Sequence, residues 1–381
     1  MSKYLFIGLL LLGGHFSFGQ QEISRIWLTF KTNQPTHLVI NWESPEPGNS
    51  EVKLTIGGKE VYTTKKDEKV ILHHVEVPIS QNNTEYNYKV ITNSYSSEWY
   101  SFQGMPSKGP LIIAVIADWG YAVDADISVV LKENPSFIIT AGDNVPDLYQ
   151  YGEEGNIHCI QSYLKLVDDN PELFRSVPFM PALGNHDHQI YPRGKKPPDS
   201  YMVYDTLATA FSEFFELPGD EWKWSFTIPD YNIRFLSLDL HHIRDFGNNW
   251  QTCPAYHENS EQYKWYKEQL GYNNGNYTVT IYNADNPELR GKYGGIWGDA
   301  IENSSLVISG SGYYAEVSIP EKTPYFNSSL IAGNVYPDKL ALFSKSVASY
   351  VLLTCTGKDV KASLKTLDGN ILYETFLESK K

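Results

Sequence analysis

No histidine follows His257 in this chain of 381 residues, so everything from Glu258 to Lys381 lacks an imidazole for metal ligation or proton transfer. Basic charge is also scarce. Lys and Arg number 31 against 45 Asp and Glu, a net charge of -14 with a pI near 5.2, which repels polyanions and argues against a nucleic-acid partner. Long apolar runs are missing: the longest, Leu5 to Leu12, is too short to span a bilayer, so no membrane association is expected. That run follows Lys3 and precedes the small-residue pattern Ser17-Phe18-Gly19, which predicts a secretory signal over residues 1–19, a mature chain from Gln20, and a secreted or periplasmic protein. Cysteine is sparse too. Three in an oxidising compartment allow one disulfide, and Cys159 with Cys253, both in expected polar loops, is the favoured pair, because Cys355 falls in the apolar run Tyr350 to Thr356.

What the chain has in quantity is aromatic residues, 14% with 27 Tyr, which favours β-rich structure. Its length exceeds what one core usually serves, so two domains are expected. Residues 21–105 alternate like strands throughout, at Arg25 to Phe30, His37 to Trp42, Glu51 to Ile56, Val70 to Val77, Tyr86 to Ile91 and Trp99 to Phe102, the pattern of a small antiparallel sandwich. The segment Pro106 to Pro110 reads as a linker. From residue 110 to 381 apolar strands alternate with helical stretches, which implies an α/β domain whose sheet is buried on both faces. Strands are expected at Leu111 to Ala117, Phe137 to Ala141, Phe179 to Leu183, Trp224 to Ile228, Ile233 to Leu238, Tyr277 to Tyr282 and Ser305 to Ser309. Helices are expected at Asp124 to Glu133 and Ser260 to Leu270. The carboxyl terminus reads as a meander with a turn at Asp368-Gly369.

Three polar runs follow three of these strands: Asp118-Trp119-Gly120, Gly142-Asp143-Asn144 and Gly184-Asn185-His186-Asp187. Ligands gather at the carboxyl ends of strands in open α/β folds, so two carboxylates, an amide and an imidazole converge on one edge. In this order, and with Val177 to His186, the run Ile233 to Asp239 and the segment Glu261 to Trp265, they make the chain resemble a purple acid phosphatase of the calcineurin-like metallophosphoesterases over essentially its whole mature length. The resemblance implies a fibronectin type III-like amino-terminal β-sandwich followed by a metallophosphoesterase-type α/β sandwich. It further implies that Asp118 ligates one metal, Asp143 bridges two, Asn185 ligates the second, and His186 stands beside the substrate to stabilise charge or protonate the leaving oxygen. Two ions then clamp the attacking and departing oxygens of a displacement at phosphorus.

The second half of that pattern is missing. The tyrosine position after the bridging aspartate falls on Pro146, the strand that should end in histidine ends at Tyr282-Asn283, and the final Gly-His-x-His motif reads Gly310-Ser311-Gly312-Tyr313. Asp118, Asp143 and Asn185 are too few to hold two ions, so an intact dinuclear centre is not expected, and the cofactor implied is at most one divalent ion: Mg²⁺, Mn²⁺, Ca²⁺, Zn²⁺ or Fe. Metal activation of water, from a pKa of about 15.7 to about 7, is worth on the order of 12 kcal/mol, which His186 alone does not replace. Substitute ligands would have to come from His188, His241, His242, Asp147, Asp285 or Tyr313, and Arg193, Lys195 and Lys196 stand near enough in sequence to attract phosphate. The expectation is therefore a homologue with lost or strongly weakened phosphatase activity that binds a phosphoester or other small ligand in its cleft, with Tyr282, Tyr313 and Tyr314 as cleft-lining rings. An active one-metal phosphoesterase and a purely structural scaffold are the alternatives. Oligomeric state is not encoded legibly.

Overall fold

The structure is a computed structural model that describes residues 22–80, 83–122, 124–148, 156–191, 200–243, 253–272 and 275–380. The secretory segment expected over residues 1–19, and Arg193, Lys195 and Lys196, lie outside the described residues. No helix among the described residues is long and apolar enough to cross a membrane.

The amino-terminal strands are β1 (Ile26–Thr29), β2 (His37–Ile56), β3 (Lys59–Pro78), β4 (Glu85–Thr92), β5 (Tyr95–Ser96) and β6 (Tyr100–Gln103). All pair antiparallel. The sequence suggested separate strands at His37 to Trp42 and Glu51 to Ile56, whereas both belong to one long β2. Register shifts between Glu43 and Ser50 bend it, so its first half pairs with β1 and its second half with β4.

Two further sheets make the α/β part. One runs β19-β18-β17-β7-β8-β9, with β7 (Leu111–Ile116), β8 (Phe137–Thr140) and β9 (Phe179–Pro181) parallel, and β17 (Ser349–Cys355), β18 (Val360–Thr366) and β19 (Ile371–Phe376) a carboxyl-terminal meander on its edge. The other runs β10-β11-β12-β13-β15-β14-β16, in which β11 (Ile233–Ser237), β12 (Tyr277–Tyr282), β13 (Leu306–Ser309) and β15 (Tyr325–Asn327) are parallel. Strands β10 (Trp224–Ile228), β14 (Ala315–Ser318) and β16 (Ala341–Lys345) pair antiparallel at its margins. Every residue of β8, β11, β12 and β13 is buried, which matches the mainly apolar runs of β8 and β13, while β12 alternates Thr with apolar residues and β11 buries Arg234 as well.

The helices are α1 (Ser128–Lys132), α2 (Gln161–Asp169), α3 (Pro171–Phe174), α4 (Thr209–Phe215), α5 (Glu261–Gly271), α6 (Asn286–Gly291) and α7 (Ile296–Ile301). Ser260 caps α5 by accepting from Tyr263 N, the start that the sequence predicts. Helix α1 is shorter than the expected Asp124 to Glu133, because the Asp126 carboxylate takes the Ser128 N–H and starts the helix late.

The two α/β sheets meet through aromatic rings: Phe137 of β8 stands edge-on to Phe235 of β11 at 5.8 Å and to Phe226 of β10 at 5.7 Å. The same core reaches into the amino-terminal strands. Phe30 stacks on Phe226 at 5.0 Å, and Trp27 stacks on Phe214 of α4 at 4.0 Å while its indole N–H donates to the Phe214 carbonyl at 2.8 Å.

Among the described residues no disulfide joins Cys159 to Cys253. Cys159 is buried in the loop just before α2, with its thiol near the Leu148 carbonyl, whereas Cys253 packs on the separate cluster around Tyr266 and Trp297. Thiol titration of the denatured protein without reductant is expected to count three. A count of one would restore the disulfide. Trp27→Ala, which removes both the stack and the hydrogen bond, is expected to cost about 3–5 kcal/mol in chemical denaturation.

Candidate functional site

Five of the parallel strands of the two sheets deliver a polar loop to one shared cavity. Asp118 follows β7, Asp143 follows β8, Asn185 and His186 follow β9, Asn283 follows β12, and Ser311 to Tyr314 follow β13. The loops approach so closely that side chains are excluded at two points. A Cβ on Gly184 would sit 2.1 Å from Asp143 Oδ1, and one on Gly310 would sit 2.5 Å from the Ala117 Cβ and 2.6 Å from the Ala141 carbonyl. Asp118 and Asp143 both take left-handed backbone conformations, φ 56° and 54°, which turn their carboxylates off the strand ends. Asp118 N donates to the Gly142 carbonyl at 3.1 Å and Gly120 N to the Asp143 carbonyl at 2.9 Å, so each aspartate turn braces the other.

A fully buried carboxylate, Asp187, ties the second loop to the third. It accepts from Gly184 N at 2.9 Å, Asn144 N at 3.2 Å, Asn144 Nδ2 at 3.0 Å and Tyr163 Oη at 3.3 Å. Burial first and the neighbouring Asp143 charge second push its pKa up to about 7, against the pull of these donors. Asn144 completes the tie by accepting from Thr140 Oγ1 at 2.5 Å and donating to the Ala182 carbonyl at 2.8 Å. Asp187 and Asn144 stand inside the motifs, yet the sequence reading gave them no role.

The resulting cavity, about 340 Å³, is lined by Asp118, Asp143, Asn185, Asn283, Ser311 and Tyr313, with His242, Ile243, Ala284, Asp285, Gly312, Tyr314 and Tyr336. Asp118, Asp143 and Asn185 are thus brought together as expected, with the positions Asn283, Ser311 and Tyr313 around them. Pro146 lines a second cavity, with Trp119 and Gly120. One expectation needs correction. Tyr282 is fully buried and donates to Asn286 Oδ1 at 2.8 Å, because the alternation of β12 turns it away from the cleft.

His186 stands at the edge, where Tyr121 Oη lies 3.0 Å from its Nε2 and the two rings meet edge-on at 4.8 Å. Tyr121 in turn contacts Tyr313 edge-on at 6.0 Å. Burial, then the charges of Asp143, Asp147 and Asp118, push its phenol up to about 12. A tyrosine immediately after Asp118-Trp-Gly was the available signal for this ring, and the sequence reading passed over it.

The charge balance is one-sided. Among the described residues no Lys or Arg lines the cavity, and burial followed by the Asp143 charge raises the Asp118 carboxyl well above the usual range. Asp118 Oδ2 is buried without a hydrogen-bond partner, an orphan acceptor that suits one cation. The opposite side suits none. Asn283 Nδ2 donates to the Ala141 carbonyl at 2.9 Å and points at Asp118 Oδ1 from 3.4 Å, so an amide N–H group faces the carboxylate where a second ion's ligand is required. The donor set suits a hard ion on Asp118, Asp143 and Asn185, and His242 and Asp285 stand on the same cavity wall.

In sequence, the calcineurin-like phosphoesterase family matches residues 111–310, a little over half of the chain and the part that carries these loops. The chain belongs to that family. Among solved structures, this phosphoesterase is similar to the purple acid phosphatase PPD1 from yellow lupin (Lupinus luteus) seeds, with a TM-score of 0.69 at 14% identity over 93% of this chain and 74% of that one. It is also similar to PhoD, with a TM-score of 0.64 at 13% identity over 93% and 90% of the two chains. Both likenesses establish the fold, amino-terminal strands included. Comparison with curated protein sequences finds no match.

Two outcomes follow from the geometry of this phosphoesterase. Asp187→Ala strands three backbone and amide donors in the core and is expected to cost about 3 kcal/mol or more, read by chemical denaturation. Asp118 has a folded pKa above its unfolded value near 3.9, so the folded state holds the extra proton, and stability from this group is present at low pH and lost as pH rises towards the folded value. Asp118→Asn removes that loss. Its stability relative to wild type in chelator is expected to improve steadily from about pH 5 to pH 8, and millimolar Mg²⁺ or Mn²⁺ is expected to raise the melting temperature of wild type but not of the variant.

Proposed function

We propose that this protein is a secreted or periplasmic calcineurin-like phosphoesterase homologue that lacks a two-metal centre, has lost most or all phosphatase activity, and binds a small polar ligand in the cleft. The observation that supports this reading is the Asn283 amide turned on Asp118. A cation placed beside that carboxylate would meet the positive end of an N–H dipole, and both histidine positions of the last motif are Ser311 and Tyr313. Without a cation, the acidic cleft repels a phosphoester dianion rather than attracting it.

A neutral or cationic ligand fits better. The Tyr313 and Tyr314 rings border the carboxylates, which suits a polyol or an amine that stacks on an aromatic face and donates to Asp118 and Asp143. The net charge of -14 argues against nucleic acid as a partner.

One observation favours residual activity: the orphan Asp118 Oδ2. A single divalent ion held by Asp118, Asp143 and Asn185 would supply neutralising charge and a more acidic water. Asp118 and Asp143 would then bind and orient, and His186, with its ring fixed by Tyr121, would hold the proton for the leaving oxygen.

The test is hydrolysis of a chromogenic phosphate monoester by purified protein with Mg²⁺, Mn²⁺, Zn²⁺ or Fe, beside Asp143→Ala. Rates no higher than those of the variant are expected with every ion. Metal-dependent turnover that disappears in Asp143→Ala would replace this reading with the one-metal enzyme.

A further inference from the structure

A second polar cluster lies behind the β9 loop, outside the phosphoesterase cleft. Along the segment after β11 the residues alternate: Leu236, Leu238 and Leu240 enter one apolar cluster, so Asp239 and His241 face the other way. His188, from the loop after β9, meets them there. The three are 2%, 1% and 0% exposed, and one donor atom from each lies within 4.8 Å of the others. His188 Nε2 is 3.3 Å and His241 Nε2 3.7 Å from the same oxygen, Asp239 Oδ1.

We propose that His188, Asp239 and His241 form a mononuclear site for a borderline transition-metal ion of the zinc class, separate from the family's cleft. Ligands about 2.0–2.1 Å from a tetrahedral ion stand about 3.3 Å apart, close to the two separations measured. The supporting contacts also have the form that metal sites use. His188 Nδ1 lies 3.0 Å from the Asp205 carbonyl; donating its proton there leaves the Nε2 lone pair facing Asp239. Gln262 of α5 clamps the Asp239 backbone from both sides, accepting from its N–H at 2.6 Å and donating to its carbonyl at 2.8 Å. Tyr204 packs edge-on to His188 at 4.9 Å and near His241 at 5.8 Å, which fixes the ring planes.

Two imidazoles and one carboxylate, nitrogen and oxygen donors of intermediate softness, select zinc over calcium or magnesium. They also leave one coordination position for water or a ligand, the arrangement of reactive rather than purely structural zinc. Asp239, Gln262 and Tyr204 also line a further cavity, of about 940 Å³. None of its lining residues is shared with the phosphoesterase cleft.

The experiment loads the full chain with Zn²⁺, removes excess, and measures bound metal by mass spectrometry and affinity by chelator competition. Co²⁺ then serves as a spectroscopic probe. Wild type and Asp143→Asn are expected to retain one tightly held Zn²⁺, Asp239→Asn to lose it, and Gln262→Ala to bind it about tenfold more weakly. The wild-type Co²⁺ form is expected to show the intense visible bands of four-coordinate nitrogen and oxygen ligation. Loss of the ion in Asp143→Asn but not in Asp239→Asn would place it in the cleft and overturn the proposal. A wild-type chain that retains no Zn²⁺, or gives only the pale spectrum of six-coordinate Co²⁺, would overturn it as well. The wild-type spectrum decides the matter even if Asp239→Asn fails to fold, and none of these readouts depends on phosphatase activity.

Discussion

The Asp187 carboxylate organises this end of the molecule. Two loops that belong to neighbouring strands are held together by one buried side chain that takes the N–H groups of Gly184 and Asn144 and the Asn144 amide. Gly184 then lies against Asp143, and the His186 N–H reaches Asp143 Oδ1 at 3.2 Å, so the carboxylate of the cleft is aimed by the same tie. Charge-assisted hydrogen bonds in a dry environment are strong and directional, and four donors on one carboxylate leave little freedom. The cost is a negative charge buried next to another. That cost explains why the Asp187 pKa rises despite its donors, and why the cleft already carries unfavourable charge before any ligand enters.

From that charge follows the character of the cleft. Carboxylates at Asp118 and Asp143, with no Lys or Arg among the described residues that line the cleft, require a cation, a proton or a hydrogen-bond donor. The chain supplies a donor on one side, Asn283, and leaves an oxygen of Asp118 without one on the other. A centre with two ions needs acceptors on both sides, and an amide nitrogen is the opposite of an acceptor. Beyond Asn283 the same wall carries Ser311 and Tyr313, and Tyr313 is held in a left-handed conformation at φ 63°.

The sequence was most legible where structure repeats and least where single contacts decide. The buried strands β8, β11, β12 and β13, the Ser260 cap and the three motif loops follow from hydrophobic runs, capping chemistry and loop position. The bend of β2 does not, because it is a matter of register between distant strands. Helix α2 escaped because it begins beside residues that read as loop, and the burial of Cys159 in that loop escaped with it. Tyr282 was expected in the cleft, but the alternation of β12 turns it into the core and leaves Asn283 on the cleft wall. Tyr121 illustrates the reverse: a phenol from one loop stands beside His186 from another, a meeting that spacing along the chain does not announce.

The β9 loop itself limits what the motifs prove. Within four consecutive residues Asn185 lines the cleft, Asp187 ties the loops in the core and His188 joins Asp239 and His241 outside the cleft. Gly184, Asn144 and Asp187 are therefore needed for packing whether or not the cleft does chemistry, and their presence in the sequence carries no information about activity. Asn185 and His186 take no part in that tie through their side chains, so they are the residues whose identity bears on function. Any force on this loop is also shared. A ligand that moves Asn185 must move a backbone anchored at Asp187 and continuous with His188, which gives the cleft and the histidine cluster a common rigid element through which occupancy of one could bias the other.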